Sequence, residues 1–180
     1  MNNLQRSALI ITLIEGLEAR GSWCGETHIQ KAAYFAQELL KVPLGFNFIL
    51  YKHGPFSFEL SAQLTSMRAD GLLRMVPKIP YGPSILPNED RLKRLFPKTL
   101  AQYKNQIDFV VGKLGTQRVA ELERLATALY VTLEDQVAED ARVRAERINE
   151  LKPHVLVEDA LEAVKIVDEI ICGAKMVKAS

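Results

Sequence analysis

The chain of 180 residues is 48% apolar and 25% charged, and 23 basic side chains nearly balance 22 acidic ones. This composition is typical of a globular protein and excludes a disordered chain, a collagen-like fibre and a disulfide scaffold. A net charge of +1 gives no whole-chain attraction to nucleic acid or acidic lipid. The two cysteines fit no disulfide framework, and no stretch is apolar enough for a membrane span, so we expect a cytoplasmic protein without membrane contact.

The first two predicted elements are helices. Apolar spacing predicts a helix from Leu4 to Ala19, which stops before a glycine. A second helix is predicted to begin at Thr27, because Thr27 and Gln30 have the spacing of a capping box. Pro43 marks the latest point at which this helix can end.

A small β element and a third helix follow. Residues 46–51 have the composition of a short strand, and residues 53–55 that of a turn. Ser57 is placed to cap a helix that stops at Gly71. A second strand is predicted over residues 72–76.

A proline-rich stretch from Pro77 to Pro97 divides the chain, and its segment 78–88 is expected to be a loop or a poorly formed hairpin. The remaining helices are predicted over residues 100–113, 119–133, 137–151 and 157–173. The expected fold is mainly α (α+β). It has a winged-helix-like N-terminal part with a small β element over residues 1–97, followed by a C-terminal helical bundle over residues 98–180 that packs on it as one compact unit.

The third helix has apolar residues on two opposite sides. Leu60, Leu64 and Met67 form one stripe, and the other consists of Phe58, Ala62, Thr65 and Ala69. This pattern predicts a helix sandwiched between other elements rather than one laid in a DNA groove.

Candidate chemical sites are few. Cys24 and His28 are four residues apart, but a zinc site needs further ligands with paired spacings. No acid near Cys24 would orient His28 as a base, and no glycine-rich loop follows a strand. We therefore expect neither an enzyme nor a metal or other cofactor.

Basic residues cluster after the proline-rich stretch. Arg91, Lys93, Arg94 and Lys98 could contact phosphates or an acidic protein. They leave open a second interpretation, in which the protein is a DNA-binding transcriptional regulator of winged-helix type.

Three motifs indicate a family. They are Ile29 to Gln37 (IQKAAYFAQ), Tyr51 to Leu60 (YKHGPFSFEL) and Asp70 to Leu73 (DGLL). Together they resemble the Panacea domain, also called the SocA-like antitoxin domain. The segments Glu121 to Tyr130 and Glu150 to His154 are similar to longer uncharacterised bacterial and archaeal relatives of that domain.

This resemblance implies a non-enzymatic protein of antitoxin or defence-accessory type, which neutralises or positions a partner protein such as a toxin or another defence component. We predict that the partner surface consists of Gln30, Tyr34 and Gln37 on the polar face of the second helix, together with Lys52 and His53 beside the turn. Tyr34 is the main predicted anchor, because tyrosine buries a large area and keeps a polar tip. A homodimer through the last helix is left open.

Overall fold

The computed structural model describes residues 1–79, 81–88, 91–134 and 140–178. It is 67% helix and 11% strand, which confirms the mainly α class. The helices are α1 (Asn3–Ala19), α2 (Glu26–Tyr34), α3 (Phe58–Ala69), α4 (Arg91–Leu95), α5 (Pro97–Gln102), α6 (Lys104–Leu114), α7 (Val119–Leu133), α8 (Ala141–Leu151) and α9 (Val157–Lys178). Among the described residues, no helix has both the length and the apolar character that a membrane crossing requires.

The described strands form two separate antiparallel hairpins. Their bounds are β1 (Ile49–Tyr51), β2 (Gly54–Phe56), β3 (Leu73–Lys78) and β4 (Tyr81–Pro87). For the segment 78–88 the sequence leaves a loop or a poorly formed hairpin open; in the structure β4 pairs with β3 and forms the second hairpin. The register of this pair is irregular only between Val76 and Lys78. A backbone bond of 2.9 Å from the Ile85 amide to the Cys24 carbonyl ties this hairpin to the chain before α2.

Helices α1 and α7 organise the core. Helix α1 buries an almost continuous run from Ser7 to Ile14 and packs against α2, α4, α5, α6 and β4. Helix α7 buries Leu125 to Leu129 and packs against α2, β2, α8 and α9. The first hairpin therefore lies beside a helix from the second half of the chain.

The start of α2 differs from the prediction. The helix begins at Glu26 after Gly25, and no side chain among the described residues caps it. Thr27 and Gln30 form no capping box, because the Gln30 amide is used by Ser57 instead. The helix continues as a wider π-helical turn over Phe35–Leu39.

Helix α3 has the predicted ends but not the predicted environment. Ser57 Oγ accepts a hydrogen bond from the Leu60 amide, and Gly71 has the left-handed φ of +71° expected after a helix end. However, Phe58, Thr65 and Ala69 are exposed, and Ala62 is exposed with them. The expected sandwich is wrong: only the Leu60, Leu64 and Met67 side is buried, and the opposite side faces solvent.

The second half follows the predicted order with shifted bounds. The helix expected over 100–113 is divided at Tyr103 into α5 and α6, although the sequence carries no proline or glycine there. For the helix predicted over 137–151, the expected start at residue 137 lies outside the described residues. The last helix passes Gly173 and continues to Lys178.

Candidate functional site

The Gly54–Pro55 turn is fixed against α7. Gly54 has a left-handed φ of +83°. A Cβ at this position would lie 2.9 Å from Thr127 Oγ1 and 3.2 Å from the Glu123 carbonyl oxygen. Glycine is thus required twice, first by its backbone conformation and second by the close approach of α7.

Lys31 holds the same turn from α2. Its side chain is only 1% exposed, and its Nζ donates a hydrogen bond of 3.0 Å to the Pro55 carbonyl. Burial lowers the pKa of Lys31 to about 8, and the nearby Glu123 carboxylate opposes this shift. With almost no exposed surface, this amine is placed to support the turn and not to react with a substrate.

A second lysine reaches the turn from the end of α8. Lys152 Nζ donates to the carbonyl oxygens of Tyr51 and Lys52, the latter at 2.6 Å, and burial lowers the pKa of this amine. On the other side, His53 Nδ1 lies 3.2 Å from a Glu123 carboxylate oxygen. Donors from α2 and α8 and an acceptor from α7 therefore converge on residues 51–55.

The three binding residues predicted on the second helix have structural roles; Gln30 and Tyr34 lie in α2, and Gln37 lies in the π-helical turn that continues it. Gln30 is fully buried, and its amide exchanges two hydrogen bonds of 2.9 and 3.0 Å with the backbone of Ser57. Gln37 does the same with the backbone of Phe46, at 2.7 and 2.8 Å. These two amides clamp the two ends of the segment that carries the first hairpin, in the way a neighbouring strand would.

Tyr34 is not available as a surface anchor. It is 3% exposed, and its ring makes edge contacts with Phe48 and Phe35 at centroid distances of 5.1 and 6.3 Å. The prediction that Gln30 and Tyr34 lie on an exposed binding face is wrong. It is wrong because the segment 46–57, which carries the first hairpin, covers this side of α2.

Lys52 and His53 are exposed, as a surface role requires. They lie at the tip of the first hairpin, next to an aromatic group that the sequence analysis did not select. We define the aromatic patch as Ile49, Tyr51, Phe56 and Phe58. The ring centroids of Tyr51, Phe56 and Phe58 are 5.1 to 5.9 Å apart, and Tyr51 and Phe58 are 52% and 58% exposed.

The sequence did contain a signal for this patch. Ile49 and Tyr51 alternate along β1, Phe56 pairs across from Ile49, and Phe58 follows two residues later. Alternating residues of a strand share one face, so these side chains could have been placed together once the hairpin was paired. Phe58 was instead assigned to a buried helix face.

The basic cluster is only partly free to bind. Arg91, Arg94 and Lys98 are exposed. Lys93 is half-buried and forms an ion pair of 2.7 Å with Glu15 of α1, so it fastens α4 to the core. A role of the other three in binding an acidic partner stays a prediction.

The Cys24 and His28 pair offers no catalytic arrangement. The Cys24 thiol is buried and donates to the Ile14 carbonyl, and burial raises its pKa to about 11. A thiol with this pKa is protonated near neutral pH and is a poor nucleophile. Within the four described ranges, no group of three or more His, Cys, Asp or Glu side chains is placed to hold a metal ion.

A scan against models of known protein families finds no match for this chain, and a search of curated proteins finds no similar protein. The resemblance to the Panacea domain therefore stays a prediction.

Proposed function

We propose that this protein is a non-enzymatic protein-binding module of antitoxin or defence-accessory type, which neutralises or positions a partner protein through the aromatic patch. The observation that carries this proposal is the contact of two exposed aromatic rings, Tyr51 and Phe58, with each other and with the half-buried Phe56. Aromatic side chains are enriched at protein interfaces and dominate their binding energy. Contiguous exposed apolar groups of this kind commonly mark such interfaces.

The surroundings of the patch indicate the chemistry of the partner. Lys52 is exposed at the adjoining hairpin tip and forms no ion pair among the described residues. We therefore infer a partner protein with an apolar surface that is bordered by carboxylates. A hairpin held rigidly by Lys31, Lys152 and two glutamines would lose little conformational entropy on binding, which favours affinity.

The winged-helix-like assignment and cytoplasmic action are part of this proposal. The order of two helices, a hairpin, a helix and a longer hairpin supports a winged-helix-like N-terminal part, with α6 to α9 as a helical bundle. The free thiols of Cys24 and Cys172 support a reducing compartment.

The test is affinity capture from the native host with three forms of the protein, each with and without nuclease. The forms are the wild type, Phe58→Ser, and the control Leu156→Ser, which changes an apolar residue outside the aromatic patch that is 64% exposed. We expect a stoichiometric, nuclease-resistant protein with the wild type and the control but not with Phe58→Ser. Capture of the same protein by all three forms would contradict the proposal.

A functional readout completes this test. The captured protein is expressed alone and together with each form. If it arrests growth, the wild type and Leu156→Ser should restore growth and Phe58→Ser should not. If the wild type captures the protein but does not restore growth, the proposed binding stands and the neutralising role is excluded. The proposed role would then be to position the partner.

The exposed outer face of α3 favours a second candidate, the DNA-binding regulator. Arg74 and Lys78 are also exposed, on the hairpin that follows α3. Binding to a DNA duplex that weakens steeply with salt, and that is lost in Arg74→Glu, would support this candidate. A flat salt response would exclude it.

A further inference from the structure

A cavity of about 320 Å³ lies between the start of α2, helix α3 and the β3–β4 hairpin. Its volume falls in the range of small-molecule sites, which are usually lined by apolar side chains and a few polar groups. The apolar lining comprises Trp23, Leu64, Met75, Pro83, Ile85 and Val119. None of its lining residues belongs to the aromatic patch.

The first polar feature of this cavity is the start of α2. Gly25 precedes the helix, no side chain in the described ranges caps it, and the amide of Ile29 donates the bond of 3.2 Å that reaches back to the Gly25 carbonyl. The backbone amides of Glu26, Thr27 and His28 come before this first bond of the helix, so the helix itself offers them no carbonyl acceptor. All three residues line the cavity. Such amides and the helix dipole favour a negatively charged group.

A second, independent feature is His28. Its side chain is only 4% exposed and lines the cavity, yet its Nδ1 has no hydrogen-bond partner among the described residues. A buried polar atom without a partner is unusual and indicates a missing one. Burial lowers the pKa of this imidazole, which keeps it neutral at pH 7 and free to accept or donate one hydrogen bond.

Arg68 of α3 supplies the third feature. Its guanidinium donates to Thr65 Oγ1 at 3.1 Å and to the Met75 sulfur, both of which are uncharged. Within the described residues it forms no ion pair, although Glu26 lines the same cavity, and its Nε is buried without a partner. Guanidinium groups bind carboxylates more strongly than neutral acceptors, so this side chain is well placed to bind an anion.

We propose that this cavity binds a small organic carboxylate, whose apolar body lies against Trp23 and Ile85 and whose carboxylate group lies between Arg68 and the start of α2. A single cation and one helix start suit a single negative charge. The carboxylate of Glu26, which also lines the cavity, disfavours a phosphate dianion. This site is independent of the proposed partner surface and adds a small-molecule ligand to it.

The chain contains one tryptophan, Trp23, so its fluorescence reports on the cavity. The experiment titrates the full chain with 4-phenylbutyrate and with the uncharged 4-phenylbutan-1-ol. Saturation-transfer NMR on each probe reads binding independently of the fluorescence. We expect saturable binding of the acid and about tenfold weaker binding of the alcohol, because the alcohol cannot form the charge-assisted hydrogen bonds that the carboxylate forms.

Two variants locate the binding. Gly25→Ala places a methyl group inside the cavity at 3.8 Å from His28 Nδ1 and 3.9 Å from Trp23 Cδ1, and its φ of −67° suits alanine. It should weaken both probes about tenfold or more. Arg68→Gln should make the acid and the alcohol bind about equally. Gly112→Ala, whose new methyl group meets nothing within 4 Å, is the matched control and should change neither affinity.

Three results would each overturn the proposal. The first is no saturable binding of either probe by fluorescence and NMR. The second is equal affinity for the acid and the alcohol in the wild type. The third is unchanged binding in Gly25→Ala, which would place the bound probe elsewhere. Any of these results would leave the proposal for the aromatic patch unaffected, because the test of that proposal uses different residues and a protein ligand.

Discussion

The two faces of the first hairpin have opposite character. Its inner side meets Lys31, Gln30 and Lys152, which are buried and polar, whereas its outer side carries the exposed Tyr51, whose ring contacts the exposed Phe58 at the start of α3. Proteins normally bury apolar side chains and solvate polar ones. The difference indicates that the polar residues here serve folding, because they satisfy hairpin carbonyls and amides, and that the aromatic residues are left for a partner.

Two tyrosines separate these roles most clearly. Tyr34→Ala should lower the free energy of unfolding by about 3–5 kcal/mol, because the ring is almost fully buried. Tyr51→Ala, at 52% exposure, should cost less than about 1 kcal/mol. Urea denaturation of both variants measures this. Equal losses would abolish the distinction between the two faces.

The fit of the turn against α7 gives the next largest effect. Gly54→Ala should destabilise by about 2–4 kcal/mol, because it combines a left-handed φ with a Cβ at 2.9 Å from Thr127 Oγ1. Gly71→Ala has a similar φ of +71° and no described residue within 4 Å of its Cβ, so it should cost only about 1–2 kcal/mol. The difference between the two variants, read from the same denaturation curves, isolates the close approach. Equal losses in the free energy of unfolding would mean that α7 moves away from the new methyl group without destabilising the protein.

Lys31 gives a smaller effect that depends on pH. The folded protein holds this amine at a pKa of about 8, against 10.5 in the unfolded chain. The unfolded chain therefore binds more protons between these values, and the free energy of unfolding should rise by about 1 kcal/mol from pH 7.5 to 9. The Cys24 thiol, whose pKa is raised from 9.0 to about 11, acts in the opposite direction as the pH approaches and passes 9, and so offsets part of this rise.

The control for this prediction is a pair of lysine substitutions. Lys31→Met should reduce the rise between pH 7.5 and 9 to the part contributed by Lys152, whose pKa burial also lowers, whereas Lys165→Met, at an exposed position of α9, should retain the whole rise. Denaturation series at several pH values measure the slope. A rise that is undiminished in Lys31→Met would contradict the assignment to Lys31.

Local signals in the sequence predicted several boundaries correctly. The stop of α1 before Gly21, the Ser57 cap and the Gly71 stop all follow from residues within one helical turn. Such signals need no knowledge of the rest of the chain. The two predicted strands also overlap observed ones, although β1 is shorter than expected.

The errors have a common physical cause, which is long-range contact. Gln30 matched a local capping pattern, but its amide bonds Ser57, 27 residues away. Tyr34 had the spacing of a polar helix face, and that face is covered by a hairpin segment whose position no local pattern reveals. The outer stripe of α3 looked buried because apolar residues can equally indicate a core or a binding surface. Of the five residues predicted for the partner surface, only Lys52 and His53 are exposed next to the aromatic patch.

The bonds from Lys152 have a consequence for how the chain can be divided. This lysine belongs to the second half of the chain, yet it donates to the carbonyls of Tyr51 and Lys52 in the first. Thr127 and Glu123 of α7 also form the wall against which Gly54 packs. A fragment ending at residue 97 would lose that wall and leave both carbonyls without their donor. We expect the halves to melt in a single cooperative transition, and neither to be inherited or transplanted as an autonomous unit.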